Sequence, residues 1–345
     1  MSAAQTEDPP RPRPDARVPY KIVDGHAIHL EVYLPPRPPG SGAEGGLGRD
    51  HSTSDSETTH ARPVFVWIHG GGWFDGAASD WSLPNLVPVL ERGWAFVSLD
   101  YRLVPQVTLA DCVGDIQDGC EFIRSGQLDE ALGKRVVDGT RLAVSGSSAG
   151  GALAVYASYT LSTPPRVVFP LYAGSDLSFP SFHAKVAFPS GQIEFSEVES
   201  HLSPTSPVVS HSPAEVDFST MIAQGRTRAC FWALQEGKAI ELAVPGVSSS
   251  SDPDERDRLL ERFVASNLVG PMTPPTVLVH GTGDMMIPFE ISRKLFTRLQ
   301  EQGVDTVLLE EPGANHGFDL LPGVIGDKDK MKVFGQALDF VAKYL

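Results

Sequence analysis

Leu142-Ala143-Val144-Ser145-Gly146-Ser147-Ser148-Ala149-Gly150-Gly151 reads as the end of a strand, a tight turn and the start of a helix. Leu142, Ala143 and Val144 are apolar in succession, as in a strand covered on both faces. The segment 152–161 continues with residues that favour a helix. Between the two lies the pattern G-x-S-x-G, with Ser148 at its centre. In that strand–turn–helix context the pattern is a nucleophile elbow. Its turn is sharp, and side chains at Gly146 or Gly150 would collide with the neighbouring strand and helix. The serine hydroxyl then stands at the top of the sheet, with the first helix amides, that of Ala149 included, beneath a developing oxyanion. A plain Gly/Ser turn at a helix start is the alternative, and the flanking strand and helix argue against it.

Three more loops follow apolar runs. Val64-Phe65-Val66-Trp67-Ile68 leads into His69-Gly70-Gly71-Gly72-Trp73, 79 residues before Ser148. Glycines let the main chain approach a substrate and present amides to it, so Gly71 and Gly72, with Ala149, are the expected oxyanion donors. His69 is expected to brace this loop rather than to move protons. Thr276-Val277-Leu278-Val279 leads into His280-Gly281-Thr282-Gly283-Asp284, 136 residues after Ser148. Asp284 is the expected acid that orients a histidine, with Asp176, after the preceding strand, as its rival. Thr306-Val307-Leu308-Leu309 leads towards Asn315-His316-Gly317-Phe318, and His316 is the expected base. All four loops lie at the carboxyl ends of strands, where open α/β sheets build their sites.

Further runs at 95–99 and 167–171 complete six strands, and helical segments at 83–92, 109–124, 151–161, 289–302 and 330–345 separate or close them. This alternation predicts an α/β fold with a doubly wound, mostly parallel sheet. Two short strands are expected around Asp24-Gly25. Residues 1–17, polar and rich in proline, are expected to be disordered, and 36–61 to form a flexible loop. The interval 174–267 breaks the rhythm with many Ser and Pro residues, scattered aromatics and at least two helices. One helix should start at Asp252-Pro253, with Asp as cap and Leu259, Leu260 and Phe263 facing inward. A helical insertion there is expected to act as a cap over the site. The catalytic domain is then 18–173 with 268–345.

Composition narrows the function classes. A formal charge of −15 disfavours a nucleic-acid binder or a partner of anionic membranes. With 41% apolar residues the chain can bury a large core. Three cysteines, Cys112, Cys120 and Cys230, make no disulfide framework and no metal spacing, so reduced thiols in the cytoplasm are expected. No metal and no cofactor is expected. The N-terminal segment lacks the apolar stretch of a signal peptide, the ending Lys343-Tyr344-Leu345 is not a peroxisomal signal, and no apolar run is long enough to span a membrane.

Taken together, His69 to Trp73, Asp100-Tyr101-Arg102-Leu103, Gly146 to Gly151, Asp284 and His316 resemble the hormone-sensitive-lipase-like branch of the α/β hydrolases. The likeness covers about residues 18–35, 62–173 and 268–345. It implies that the glycine loop is an oxyanion hole and that Asp-Tyr-Arg-Leu is a structural turn. It also implies a serine esterase for small-molecule, apolar esters, working through an acyl-enzyme on Ser148. Relatives that hydrolyse formamides, lactones or carbamates keep open the same machinery acting on a lactone, thioester, formamide or acyl-transfer step. A non-catalytic receptor, like the plant gibberellin receptor, is the remaining alternative, and it lacks the histidine that His316 supplies here. Ser147 stands where the family usually has Asp, and the acid sits in Gly-Thr-Gly-Asp rather than Asp-Pro-Leu-x-Asp. The stretch from Tyr20 to Leu34 also resembles the start of feruloyl-esterase and formamidase-like members.

Overall fold

A computed structural model describes residues 8–36, 61–217, 222–247 and 252–345. The eight-stranded sheet is built from β1 (Ala16–Val23), β2 (His26–Tyr33), β3 (Arg62–Ile68), β4 (Ala95–Leu99), β5 (Val137–Ser147), β6 (Val167–Leu171), β9 (Thr276–Gly281) and β10 (Thr306–Glu311). Its order is β1-β2-β4-β3-β5-β6-β9-β10. β1 and β2 form an antiparallel edge, joined to β4, and every other pairing is parallel. The expected doubly wound, mostly parallel sheet is therefore the observed one.

Strand periodicity sorts the core into two layers. Val64, Val66 and Ile68 of β3 face a layer shared with α2 (Leu109–Arg124), α4 (Ala149–Thr160) and α10 (Phe289–Glu301). Phe65 and Trp67 face the opposite layer, with α1 (Leu83–Glu91) and α11 (Lys328–Val341). Both faces are covered, so alternate residues are all apolar and the run looks unbroken in sequence. Helix α2 starts cleanly because Thr108 and Asp111 form a reciprocal capping box. A short α3 (Gln127–Leu132) follows it. Cys112 and Cys120 lie buried on the inner side of α2, and all three thiols are free. No helix among the described residues is long and apolar enough to cross a membrane.

Between β6 and β9 the chain forms α5 (Glu199–Leu202), a two-stranded ribbon of β7 (Val216–Asp217) and β8 (Ile222–Ala223), α6 (Gly225–Gln235), α7 (Ala239–Ala243), α8 (Pro253–Glu261) and α9 (Ala265–Leu268). Asp252 caps α8 through the Asp254 amide at 3.0 Å. Leu260 and Phe263 are buried as expected, and Leu259 is half-buried. Helix α6 lies on the glycine loop that follows β3. The Arg226 guanidinium donates to the carbonyls of Phe74 and Val104, both at 2.6 Å. The Thr227 hydroxyl donates to the Asp75 carboxylate.

The N-terminal segment differs from expectation. Residues 8–15 lie along the domain, and β1 begins at Ala16, inside the stretch expected to be disordered. Asp15 is tied to β2 through the Val32 carbonyl at 2.8 Å, and the Arg11 guanidinium sits 4.2 Å from the Trp81 ring. A cation over an indole face is a contact that composition does not reveal. Residues 1–7, and the expected flexible loop apart from Pro36 and Ala61, lie outside the described residues.

Candidate active site

The site starts from the end of β5. Ser148 has φ 55° and ψ −121°, a region that costs an ordinary residue about 1–3 kcal/mol. Its surroundings impose that backbone. The Ser148 amide donates to the Leu171 carbonyl at 3.0 Å, and its own carbonyl receives the Ala152 amide at 3.1 Å. A Cβ on Gly150 would lie 2.2 Å from the carbonyl oxygens of Ile68 and His69, and one on Gly146 would lie 2.6 Å from Ile68 O. Only glycine lets the helix start this close to β3.

The structure brings Ser148, His316 and Asp284 into one hydrogen-bonded row. His316 Nε2 lies 3.0 Å from Ser148 Oγ, and His316 Nδ1 lies 2.8 Å from Asp284 Oδ2. The carboxylate can only accept, so Nδ1 carries the proton and Nε2 faces the serine hydroxyl as an acceptor. The Asp284 side chain is almost fully buried. Burial alone would raise its pKa, but hydrogen bonds from His280 and His316, the charge of His316 and the Ile287 amide override it. The carboxyl is held well below the usual range, so it stands ionised beside His316. The second oxygen, Oδ1, accepts the Met286 and Ile287 amides, each at 2.8 Å. Asn315 joins the two loops, its Oδ1 accepting the amides of Met285 at 3.0 Å and His316 at 2.8 Å.

Asp176, the rival acid, is placed elsewhere. It accepts the Lys294 ammonium at 2.6 Å and the Ser178 amide and hydroxyl. No hydrogen bond joins it to His316 among the described residues.

The glycine loop lies beside the elbow. A Cβ on Gly70 would lie 3.4 Å from Ser148 Cβ. Gly71 adopts φ +87°, where a side chain would be strained and would also strike Asp75 at 2.2 Å. The loop's own hydrogen bonds run from the Phe74 and Asp75 amides to the Gly71 carbonyl, leaving the Gly71 and Gly72 amides outside that pattern. Trp73 Nε1 donates to the Ala149 carbonyl at 3.1 Å, tying the loop to the helix that follows Ser148. His69 is buried and stacks on Tyr101 at 4.2 Å, while burial lowers its pKa. A buried, neutral, stacked imidazole suits a brace.

Sequence reasoning missed four neighbours of the row: His280, Tyr172, Asp319 and Trp73. The Tyr172 ring stands edge-on to His316 at 4.7 Å, and its hydroxyl donates to the Asp319 carboxylate. Burial raises the pKa of Asp319, opposed by hydrogen bonds from Tyr172 and Ser82. Tyr172 directly follows β6, so the strand-end rule that picked out Ser148 and His316 marks it too. Among the described residues no cluster of His, Cys, Asp or Glu is arranged to hold a metal.

Comparisons with known proteins fit this architecture. The family model BD-FAE matches residues 53–299. Non-reducing polyketide synthase Preu6 of Preussia isomera is 25% identical over 343 residues, which are 94% of this chain and 14% of that protein. The chain spans only 12% to 16% of the length of such curated relatives. Among solved structures, a protein of unknown function from Staphylococcus aureus subsp. aureus Mu50 superposes with TM-score 0.66 at 19% identity, covering 96% of this chain and 99% of the other. Thermogutta terrifontis esterase 2, phosphoramylated by tabun, superposes with TM-score 0.58 at 20% identity, covering 97% and 96%.

Proposed function

The chain belongs to the BD-FAE family of α/β-hydrolase-like esterases, and from that premise we propose that it is a serine hydrolase that cleaves a carboxylic ester. The observation that carries this reading is the row Ser148–His316–Asp284 at a strained elbow.

Ser148 Oγ attacks the carbonyl carbon while His316 Nε2 takes the hydroxyl proton. Asp284 holds the Nδ1–H tautomer and stabilises the imidazolium that forms. The amides of Gly71, Gly72 and Ala149 receive the oxyanion. As the C–O bond breaks, His316 returns the proton to the leaving alcohol and an acyl-Ser148 remains. Water, deprotonated by the same histidine, attacks the acyl carbon, and the acid leaves as Ser148 regains its proton. The described residues of 174–267 form a cap whose helix α6 is clamped to the oxyanion loop by Arg226 and Thr227, and its aromatics, Phe188 stacked on Phe231 among them, suit an apolar substrate. The three buried free thiols suit a cytoplasmic location.

The relatives named non-reducing polyketide synthase favour a second reading, in which the same row opens an acyl thioester or transfers its acyl group. One assay separates the two. The protein and Ser148→Ala are compared on p-nitrophenyl acetate and butyrate and on the matching N-acetylcysteamine thioesters. Ester turnover that Ser148→Ala loses by several orders of magnitude supports the proposal. Thioester turnover without ester turnover supports the second reading. Turnover unchanged in Ser148→Ala would sink both.

A further inference from the structure

Asp284 does not serve His316 alone. The Nε2 atom of His280 lies 3.2 Å from the same Oδ2 and 3.0 Å from the Ile287 carbonyl. Both neighbours only accept, so Nε2 carries the proton. Nδ1, 2.8 Å from Ser292 Oγ, then accepts the serine's hydroxyl proton. His280 is fully buried, and Phe289 meets it edge-on at 5.7 Å. One carboxylate oxygen thus takes two imidazole N–H groups, one from β9 and one from the loop after β10.

We propose that His280, its tautomer set by the two acceptors at Nε2 and its ring held at Nδ1 by Ser292, is a positioning residue that fixes the Asp284 carboxylate and withdraws part of its charge from His316. The catalytic consequence rests on the serine-hydrolase reading above; the hydrogen-bond geometry does not. Two donors on one oxygen each weaken the other, because each draws on the same negative charge. Without His280's donor, Asp284 grips the imidazolium more strongly. The base then holds its proton to higher pH and gives it up less readily to the leaving group. The carboxylate would also lose one of the contacts that set its plane. The titratable groups facing the pair are Asp284 and His316 themselves, with Tyr172 edge-on to His316 and Asp319 bonded to Tyr172. From α10 the contacts are Ser292 and Phe289, neither of them charged.

Three variants test this: His280→Leu, which removes the donor; His280→Gln, whose amide N–H reaches towards the Nε2 position; and Ser292→Ala, which removes the hydroxyl that holds the ring at Nδ1 and leaves the fold least disturbed. Two readouts are taken. One is the pH profile of kcat/KM on p-nitrophenyl butyrate. The other, which needs no substrate, is the low-field NMR resonance of the His316 Nδ1 proton. The expected result for His280→Leu is a kcat/KM about tenfold lower at neutral pH, an acid limb moved to higher pH and a resonance moved downfield. His280→Gln should restore both readouts most of the way. Ser292→Ala should move both in the His280→Leu direction by less, and it decides the matter if His280→Leu does not fold. A limb and a resonance that stay in place in Ser292→Ala and His280→Leu, with equal activity losses in His280→Leu and His280→Gln, would reduce His280 to packing and overturn the proposal. Failure of the underlying hydrolase reading looks different: the unaltered protein would turn over no ester, and the NMR arm would still decide on His280.

Discussion

Asp75 is a carboxyl group in the wrong solvent. It is buried beneath the glycine loop, where Thr227 donates to Oδ2 while Oδ1 has no partner among the described residues. Burial pushes its pKa up from 3.8 to about 7; the Thr227 hydrogen bond and the Arg226 charge oppose that rise, and Asp80 adds to it. The sign of the stability effect follows from proton counting. Between pH 4 and pH 7 the folded protein keeps a proton on Asp75 that the unfolded chain has released, so stability falls as pH rises through that window. Three pKa units at about 1.4 kcal/mol each amount to a loss of about 4 kcal/mol, complete by pH 8. The test is Asp75→Asn, which keeps the shape and cannot ionise. Urea unfolding at pH 4 and pH 8 gives the stability of each protein. The difference between the asparagine variant and the unaltered protein should shift by about 4 kcal/mol in the variant's favour from pH 4 to pH 8. Taking the difference cancels the general repulsion of a chain with net charge −15. A difference constant to within about 0.5 kcal/mol would mean that Asp75 titrates alike folded and unfolded, and that burial does not hold its proton.

Other substitutions probe the site. Asp284→Asn should lower kcat on p-nitrophenyl butyrate by about 10⁴, through loss of the Nδ1–H tautomer. Asp176→Asn should leave kcat within a few-fold of its starting value, since that carboxylate engages Lys294; a loss as large as that of Asp284→Asn would reverse the assignment of the acid. Gly150→Ala places a Cβ 2.2 Å from two backbone carbonyls, so thermal unfolding should show a destabilised protein, and full activity with an unchanged Tm would contradict the packing drawn for the elbow.

Much of this architecture was legible in the sequence for a physical reason. A parallel strand covered on both faces is mostly apolar, so Val64 to Ile68 of β3, β6 and Val277 to Val279 of β9 stand out as short runs, and β4 is broken only by Ser98. Reactive side chains gather at the carboxyl ends of such strands, which directs attention to the residues just after each run. That rule marks Asp176 and Asp284 alike; only the structure shows Lys294 holding the first and His316 meeting the second. What stayed hidden depends on side-chain direction and long-range contact. The hydrogen bond from Trp73 to the Ala149 carbonyl spans 76 residues. His280 sits in the quoted loop, yet nothing in its spacing says that it turns back onto Asp284 rather than out to solvent. Residues 8–15 are polar, and their order rests on contacts such as that of Arg11 with Trp81, which no local pattern encodes.

The central claim is that Ser148 is an activated nucleophile. Incubation with a fluorophosphonate probe, followed by intact-mass and peptide-mass measurement, tests it without assuming a substrate. An activated Ser148 gives a single adduct, carried by the peptide that contains Ser148, absent from Ser148→Ala and strongly slowed in His316→Ala. An unlabelled protein, or a label that persists in Ser148→Ala, would contradict it.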